Sequence, residues 1–241
     1  MRLLIPKQHG AWAMLIVPFW LGVMASTFYF GHLFLFIGWL FLYLASYAAL
    51  MLAKGRQANL YKKWTTIYLS LAGLFIFIPV WQQPKLIGFG LLLLPFFAVS
   101  AYYSAKNCDR ALTNDISAIF IFSSSGAASY FYGANQLDKI GLFLFFICFL
   151  FFLGSALYVK TMIREKGNRT YRNVSWGYHG VIVCAWLLFG EWLVCLAFLP
   201  SLFRAYAFYG RKLSILQVGI YEIANSALFF TIVTLALSTV L

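Results

Sequence analysis

The sequence predicts an all-α fold, a polytopic membrane helix bundle of about nine transmembrane helices forming a single transmembrane domain over residues 1–241. Three observations predict it. First, 63% of the 241 residues are hydrophobic and only 10% are charged, too few charges to cover the surface of a water-soluble domain of this size. Second, the apolar runs are long and continuous. A backbone in lipid must satisfy its own hydrogen bonds. Unbroken runs do so as helices, whereas barrel strands alternate apolar with polar residues. Third, the basic residues gather in short segments between the runs, as they do in cytoplasmic loops.

About twenty apolar residues cross a bilayer. The runs are Ala11–Tyr29, Leu33–Ala53, Thr65–Trp81, Leu86–Ala105, Thr113–Tyr132, Lys139–Tyr158, Trp176–Phe189, Glu191–Ala207 and Leu213–Val240. Only Gly190-Glu191 divides the seventh from the eighth. Both are short, and one long kinked helix is the alternative. The loop charges favour two. With a cytoplasmic N-terminus and nine spans, all 18 Lys and Arg residues except Lys85 and Lys139 fall on the inner side. Merging the pair would move Arg204, Arg211 and Lys212 outside. The expected location is the cell membrane, multi-pass, with the N-terminus cytoplasmic and the C-terminus outside.

Other features fit this frame. The net charge of +12 reads as an orientation signal, and no nucleic-acid partner is expected. Arg2 and Lys7 lead straight into a full-length apolar run, so no cleavable signal peptide is expected. The sequons at Asn168 and Asn173 lie among basic residues and are expected to be cytoplasmic and unglycosylated. Cys108, Cys148, Cys184 and Cys195 are widely spaced, without a CxxC, and suggest neither a disulfide framework nor a zinc site. Trp64, Trp81, Trp176 and Trp192 lie near span ends, where indole prefers the interface.

Four polar segments end on the inner side. Pro6–Trp12 opens the first span. Proline suits a first helical turn, and a helix N-terminus beside Lys7 and His9 favours an anion. Lys54–Lys63 follows the second span. Tyr102–Asp115 follows the fourth and carries both signs, with Asn114 and Asp115 at the start of the next span; an acid there also suits the helix dipole. Tyr158–His179 is the most basic, with Lys160, Arg164, Lys166, Arg169 and Arg172 against one acid, Glu165. Lys54-Gly55-Arg56 with Tyr61-Lys62 echoes Lys166-Gly167-Asn168-Arg169 with Tyr171-Arg172, a weak hint of internal duplication. In the ninth run, Glu222 and Asn225 are three apart and share a helix face. A charge there costs at least ~2 kcal/mol against lipid, so Glu222 is expected to face the bundle, with Arg204 as its partner.

Nine spans with polar motifs after the second and sixth resemble the layout of the UbiA-type prenyltransferases. The Tyr102–Asp115 segment is similar to their fourth-loop pattern. The resemblance implies a UbiA-like bundle holding an isoprenoid diphosphate through magnesium on two aspartate-rich motifs. Here the acids are missing. Lys54–Lys63 has none, and the second motif reduces to Glu165 among cations. The opening PKQHGAWAMLIVPFWLG (residues 6–22), with YVKTMIREKGNR and His179, more closely resembles the YwiC-like family of bacterial membrane proteins, which implies membrane placement but no particular chemistry.

Without the acids, cations must contact a phosphate directly, and arginine suits bidentate phosphate contacts. The expected phosphate-binding set is Lys7, His9, Arg56, Lys106, Arg110, Asn114, Arg164 and Arg169, with no metal. The expected partner is a membrane lipid, isoprenoid or quinone-like. The role is binding an anionic or phosphate-bearing lipid at the cytoplasmic face without catalysis, or acting as accessory to a membrane complex. One alternative is a UbiA-like lipid transferase, with Asp115 or His179 as the base. The other is a transporter marked by Glu222, Asn225 and Arg204, against which an odd number of spans weighs. The sequence assigns no cofactor and no oligomeric state.

Overall fold

Apolar runs without a β-compatible period fold here as helices. The computed structural model describes residues 4–6 and 9–240, without the side chains of His9 and Val240. Among the described residues there are nine α-helices and no strands: α1 His9–Met24, α2 Gly31–Ala53, α3 Ala58–Gln82, α4 Leu86–Ala105, α5 Leu112–Ala134, α6 Lys139–Val159, α7 Arg169–Leu188, α8 Trp192–Ala207 and α9 Ile215–Val240. A π-helical turn, Lys160–Arg164, continues α6. Five helices are long and apolar enough to cross a membrane: α2, α3, α4, α6 with its π turn, and α9. α1 and α8 are apolar but span only 16 residues each.

The boundaries show what apolar content alone misses. α4 coincides with its apolar run. α3 starts at Ala58, before Thr65, because Lys62 and Lys63 sit exposed on its first turns. α7 starts at Arg169, before Trp176. There Asn168 is the N-cap, and its Oδ1 accepts from the backbone of Thr170 at 3.0 Å and Tyr171 at 3.4 Å, satisfying amides that have no helical partner. The seventh and eighth runs are separate helices. Gly190 breaks them at φ +78, a conformation glycine enters without steric cost.

The described residues group into two compact units, one of residues 4–6 and 18–145, the other of residues 9–17 and 146–240. In the first unit, α2 and α3 run antiparallel, since Phe34 and Phe41 pair with Phe75 and Tyr68 in reverse order. α4 and α5 do the same through Phe96–Phe120 and Phe89–Phe131. The second half of α1 packs on the small-residue stretch of α5. A Cβ on Gly22 would stand 2.2 Å from the Gly126 carbonyl, so only glycine permits this approach. Ser129 Oγ donates across it to the Phe19 carbonyl at 2.7 Å. Just past the same end of α5, Asp138 caps α6 through the amides of Ile140 and Gly141 and accepts from the Tyr130 hydroxyl at 2.8 Å.

In the second unit, side-chain pairs set the directions. Phe151–Phe229 and Ser155–Glu222 run α6 against α9. Phe198–Phe229 and Ser201–Asn225 run α8 against α9. Val183–Cys195 and Ala205–Trp176 run α7 against α8. α6 and α8 are therefore parallel. The end of α6 and its π turn, the start of α7, the end of α8 and the start of α9 share one end of this unit.

Candidate functional site: a buried ion pair beneath a basic pocket

Glu222 is the one buried acid among the six in the chain. A buried carboxylate is tolerated only when paired and hydrogen-bonded, and its surroundings supply both. Its Oε1 pairs with the Arg204 guanidinium. Its Oε2 accepts from Ser155 Oγ at 2.6 Å, and that oxygen accepts from Arg204 Nη2 at 3.0 Å. The guanidinium lies 4.5 Å from the centre of the Tyr158 ring, within cation–π range. One turn further along α9, Asn225 Nδ2 donates to Ser201 Oγ at 2.9 Å. Three helices thus each present two polar residues three apart: Ser155 and Tyr158, Ser201 and Arg204, Glu222 and Asn225. Residues at that spacing share a helix face.

α7 closes the cluster with His179. Its Nδ1 lies 2.7 Å from the Ser175 carbonyl. That oxygen can only accept, so Nδ1 carries the proton and Nε2 is left as an acceptor. Nε2 lies 3.1 Å from where a Cβ on Gly154 would stand, so glycine admits the imidazole at this depth. Several buried polar atoms have no hydrogen-bond partner among the described residues: Arg204 Nε, the Tyr158 hydroxyl, His179 Nε2, Ser175 Oγ and Asn225 Oδ1. Buried polar atoms are normally satisfied, so this many in one cluster singles it out as a candidate site.

Above the cluster, at the shared end of the unit, is a pocket of about 170 Å³ lined by Thr161, Met162, Lys166, Gly167, Tyr209, Gly210 and Arg211. The π turn carries Thr161 and Met162 inward, where both are buried. Thr161 Oγ1 donates to the Tyr158 carbonyl at 2.7 Å, and Met162 packs with Tyr158, Ala205 and Val218. Thr161 lies six residues beyond Ser155, the α6 partner of Glu222, so the floor of the pocket stands ~9 Å along the helix from the ion pair. Gly210, at φ +79, turns the chain back toward α9. Beside the pocket, the Arg172 guanidinium lies over the rings of Trp176 and Tyr209 at 5.1 and 5.7 Å. Trp176 is fixed by donating to the Ala205 carbonyl and by stacking on Tyr206.

The other expected residues fall as follows. Lys7 and the side chain of His9 lie outside the described residues. Arg56, Lys106 and Arg110 are exposed on the loops of the first unit, and Arg164 and Arg169 are exposed in the second. In the first unit, Lys54 pairs with Asp109, and Asn114 Nδ2 donates to the Asp109 carbonyl at 2.8 Å, so Asn114 holds its own loop. Asp115 sits in the first turn of α5. The residues that line the pocket, Lys166 and Arg211, were not in the expected set. Nor were Ser155, Tyr158 and Ser201, although the repeated spacing of three on α6, α8 and α9 was a signal that could have found them. The magnesium that the UbiA resemblance implies does not fit these side chains. Glu165 Oε2 is engaged by Asn168 Nδ2 at 2.9 Å, and among the described residues no three His, Cys, Asp or Glu side chains are grouped to hold a metal.

Comparison with known proteins identifies the family. The model of the family described as YwiC-like protein matches residues 5–130. The "Uncharacterized protein YwiC" of Bacillus subtilis (strain 168) is 43% identical over 235 residues, covering 98% of both chains. An "Uncharacterized protein" of Haemophilus influenzae is 37% identical over 236 residues, covering 98% of this chain and 99% of its own. No solved structure matches. The matched segment 5–130 ends before the ion-pair cluster, but both relatives continue through it. The chain belongs to the YwiC-like family.

Proposed function

We propose that this membrane-type protein binds the headgroup of an anionic, phosphate-bearing lipid in the basic pocket of its second unit. The carrying observation is the pocket itself, where Lys166 and Arg211 flank buried Thr161 at one helix-end cluster. Lysine offers a point charge and arginine a fork of donors, the two usual ways to hold phosphate oxygens. The aromatic flank of Trp176, Tyr206 and Tyr209 suits the interfacial depth at which a headgroup lies. Nothing in the pocket supplies a carboxylate, so binding is direct and needs no metal bridge. Arg164 and Arg169 stand on the adjoining turns and add to the local positive field.

Unfolding of the purified protein in detergent, followed by intrinsic fluorescence, tests the reading. A phosphodiester lipid at a hundred times its dissociation constant should stabilise the fold by about 2.7 kcal/mol, with or without magnesium. Lys166→Ala with Arg211→Ala should remove most of that gain while leaving ligand-free stability nearly unchanged, because both side chains are exposed. Equal stabilisation of wild type and double variant would refute the site.

A further inference from the structure

We infer that the buried Arg204–Glu222 pair is the inner half of the same site, a guanidinium reserved for a phosphate and held meanwhile by an internal carboxylate that must take up a proton to release it. The inference rests on the pocket reading above and adds to it a coupling between anion binding and protonation.

Four observations carry it. The pair lies beneath the pocket floor at the same end of the unit, linked to it through Tyr158, Thr161 and Met162. Arg204 Nε and the Tyr158 hydroxyl remain buried without a partner, two donors on adjoining groups that an incoming phosphate oxygen could accept from. Met162, which lines the pocket and packs on Tyr158, is the kind of flexible apolar side chain that can move aside. Finally, Glu222 occupies the guanidinium as a ligand anion would, on Oε1 and through Ser155 on Oε2. Two anions cannot share one cation in an apolar interior. The balance is one for one: a proton from water adds to Glu222, its contact with Arg204 breaks, and the phosphate oxygen takes the vacated donors. Release reverses each step.

The titratable and charged groups around Glu222 are Arg204 on α8, Tyr158 and buried Lys160 at the end of α6, His179 on α7 and Tyr221 beside it on α9. α1 brings none over residues 10–17. His179 is the competing candidate for the proton, and the experiment separates the two.

The test is calorimetric titration of the full-length protein in detergent across a pH series. Short-chain phosphatidylglycerol is one probe and dimethyl phosphate the other. Both carry a fixed single charge, so any pH dependence belongs to the protein. Affinity should rise up to about tenfold per unit fall in pH, with about one proton taken up per anion, read from the buffer-dependent heat. Glu222→Gln should bind with no pH slope, and His179→Gln should keep the slope. The slope with either probe supports the coupling; with the lipid alone, it also fixes the source as a membrane headgroup. Binding that depends on Lys166 and Arg211 but shows no slope and no proton uptake in wild type overturns the coupling and leaves the pocket intact. A slope lost in His179→Gln and kept in Glu222→Gln overturns the assignment to Glu222. No binding of either probe at any pH overturns both readings.

Discussion

Arg204 and Glu222 stabilise the second unit only as a pair. Each alone would be an uncompensated charge among apolar side chains, so removing one partner costs far more than removing both. Arg204→Met should therefore lower stability by about 3–5 kcal/mol, and adding Glu222→Leu should restore most of it. Denaturant titration in mixed micelles reads both, and equal losses in single and double variants would contradict the pairing. Much of this was legible beforehand. An acid in a span has to face inward, and Arg204 was the cation available on the neighbouring run. Ser155 was not legible, because one serine among the phenylalanines of α6 gives no signal until the fold sets it 2.6 Å from a carboxylate. Lys166 and Arg211 were visible as charges, but only the turn at Gly210 brings them to one pocket.

At the scale of the element, caps fix where the helices begin. Asp138 holds the start of α6 with one oxygen on two amides and the other on Tyr130. Burial alone would push its carboxyl up, but the hydrogen bonds from Tyr130, Gly141 and Ile140 outweigh it and hold the group below the ordinary carboxylate range. A depressed carboxyl contributes stability above its unfolded pKa and loses it as pH falls through the folded value. Asp138→Ala should cost about 1 kcal/mol at neutral pH, and the difference from wild type should close under acid conditions below the usual carboxylate range. A gap that stays constant into acid would show that the carboxylate charge is irrelevant. Asn168 does the same for α7, and here the apolar-run reading fell short. Arg169 and Arg172 lie inside a helix whose first turns are polar, so hydropathy starts it too late, while the Asn-x-Thr cap marks the true start. The π turn after α6 left no trace in the sequence.

For the whole molecule, the hydropathy pattern gave the helix order correctly, including the break at Gly190. Among the described residues, five helices have the length and composition to cross a membrane. The 16 residues of α1 and of α8 reach ~24 Å, short of a ~30 Å hydrocarbon core. If all nine cross, alkaline phosphatase fused after Leu241 is active and fused after Arg110 inactive; if α1 or α8 does not cross, activity downstream of it inverts. The residues proposed to bind phosphate were less legible than the helices, because a loop charge reads alike whether it sets orientation or holds a ligand.

The ion pair also constrains biogenesis. α8 leaves the ribosome first and carries Arg204 in its last turn, a residue type that costs about 2.5–3.5 kcal/mol at the centre of an isolated span and less toward its end. Its counter-charge arrives only with α9. A translocon judging α8 alone should often reject it, whereas the α8–α9 hairpin can partition as a neutral unit. Glycan-acceptor tags flanking α8 would report this as poor integration of the single segment, rescued when α9 follows and lost again with Glu222→Ala. Synthesis of this protein would then include a pause in which a half-made span waits at the lateral gate for its neighbour.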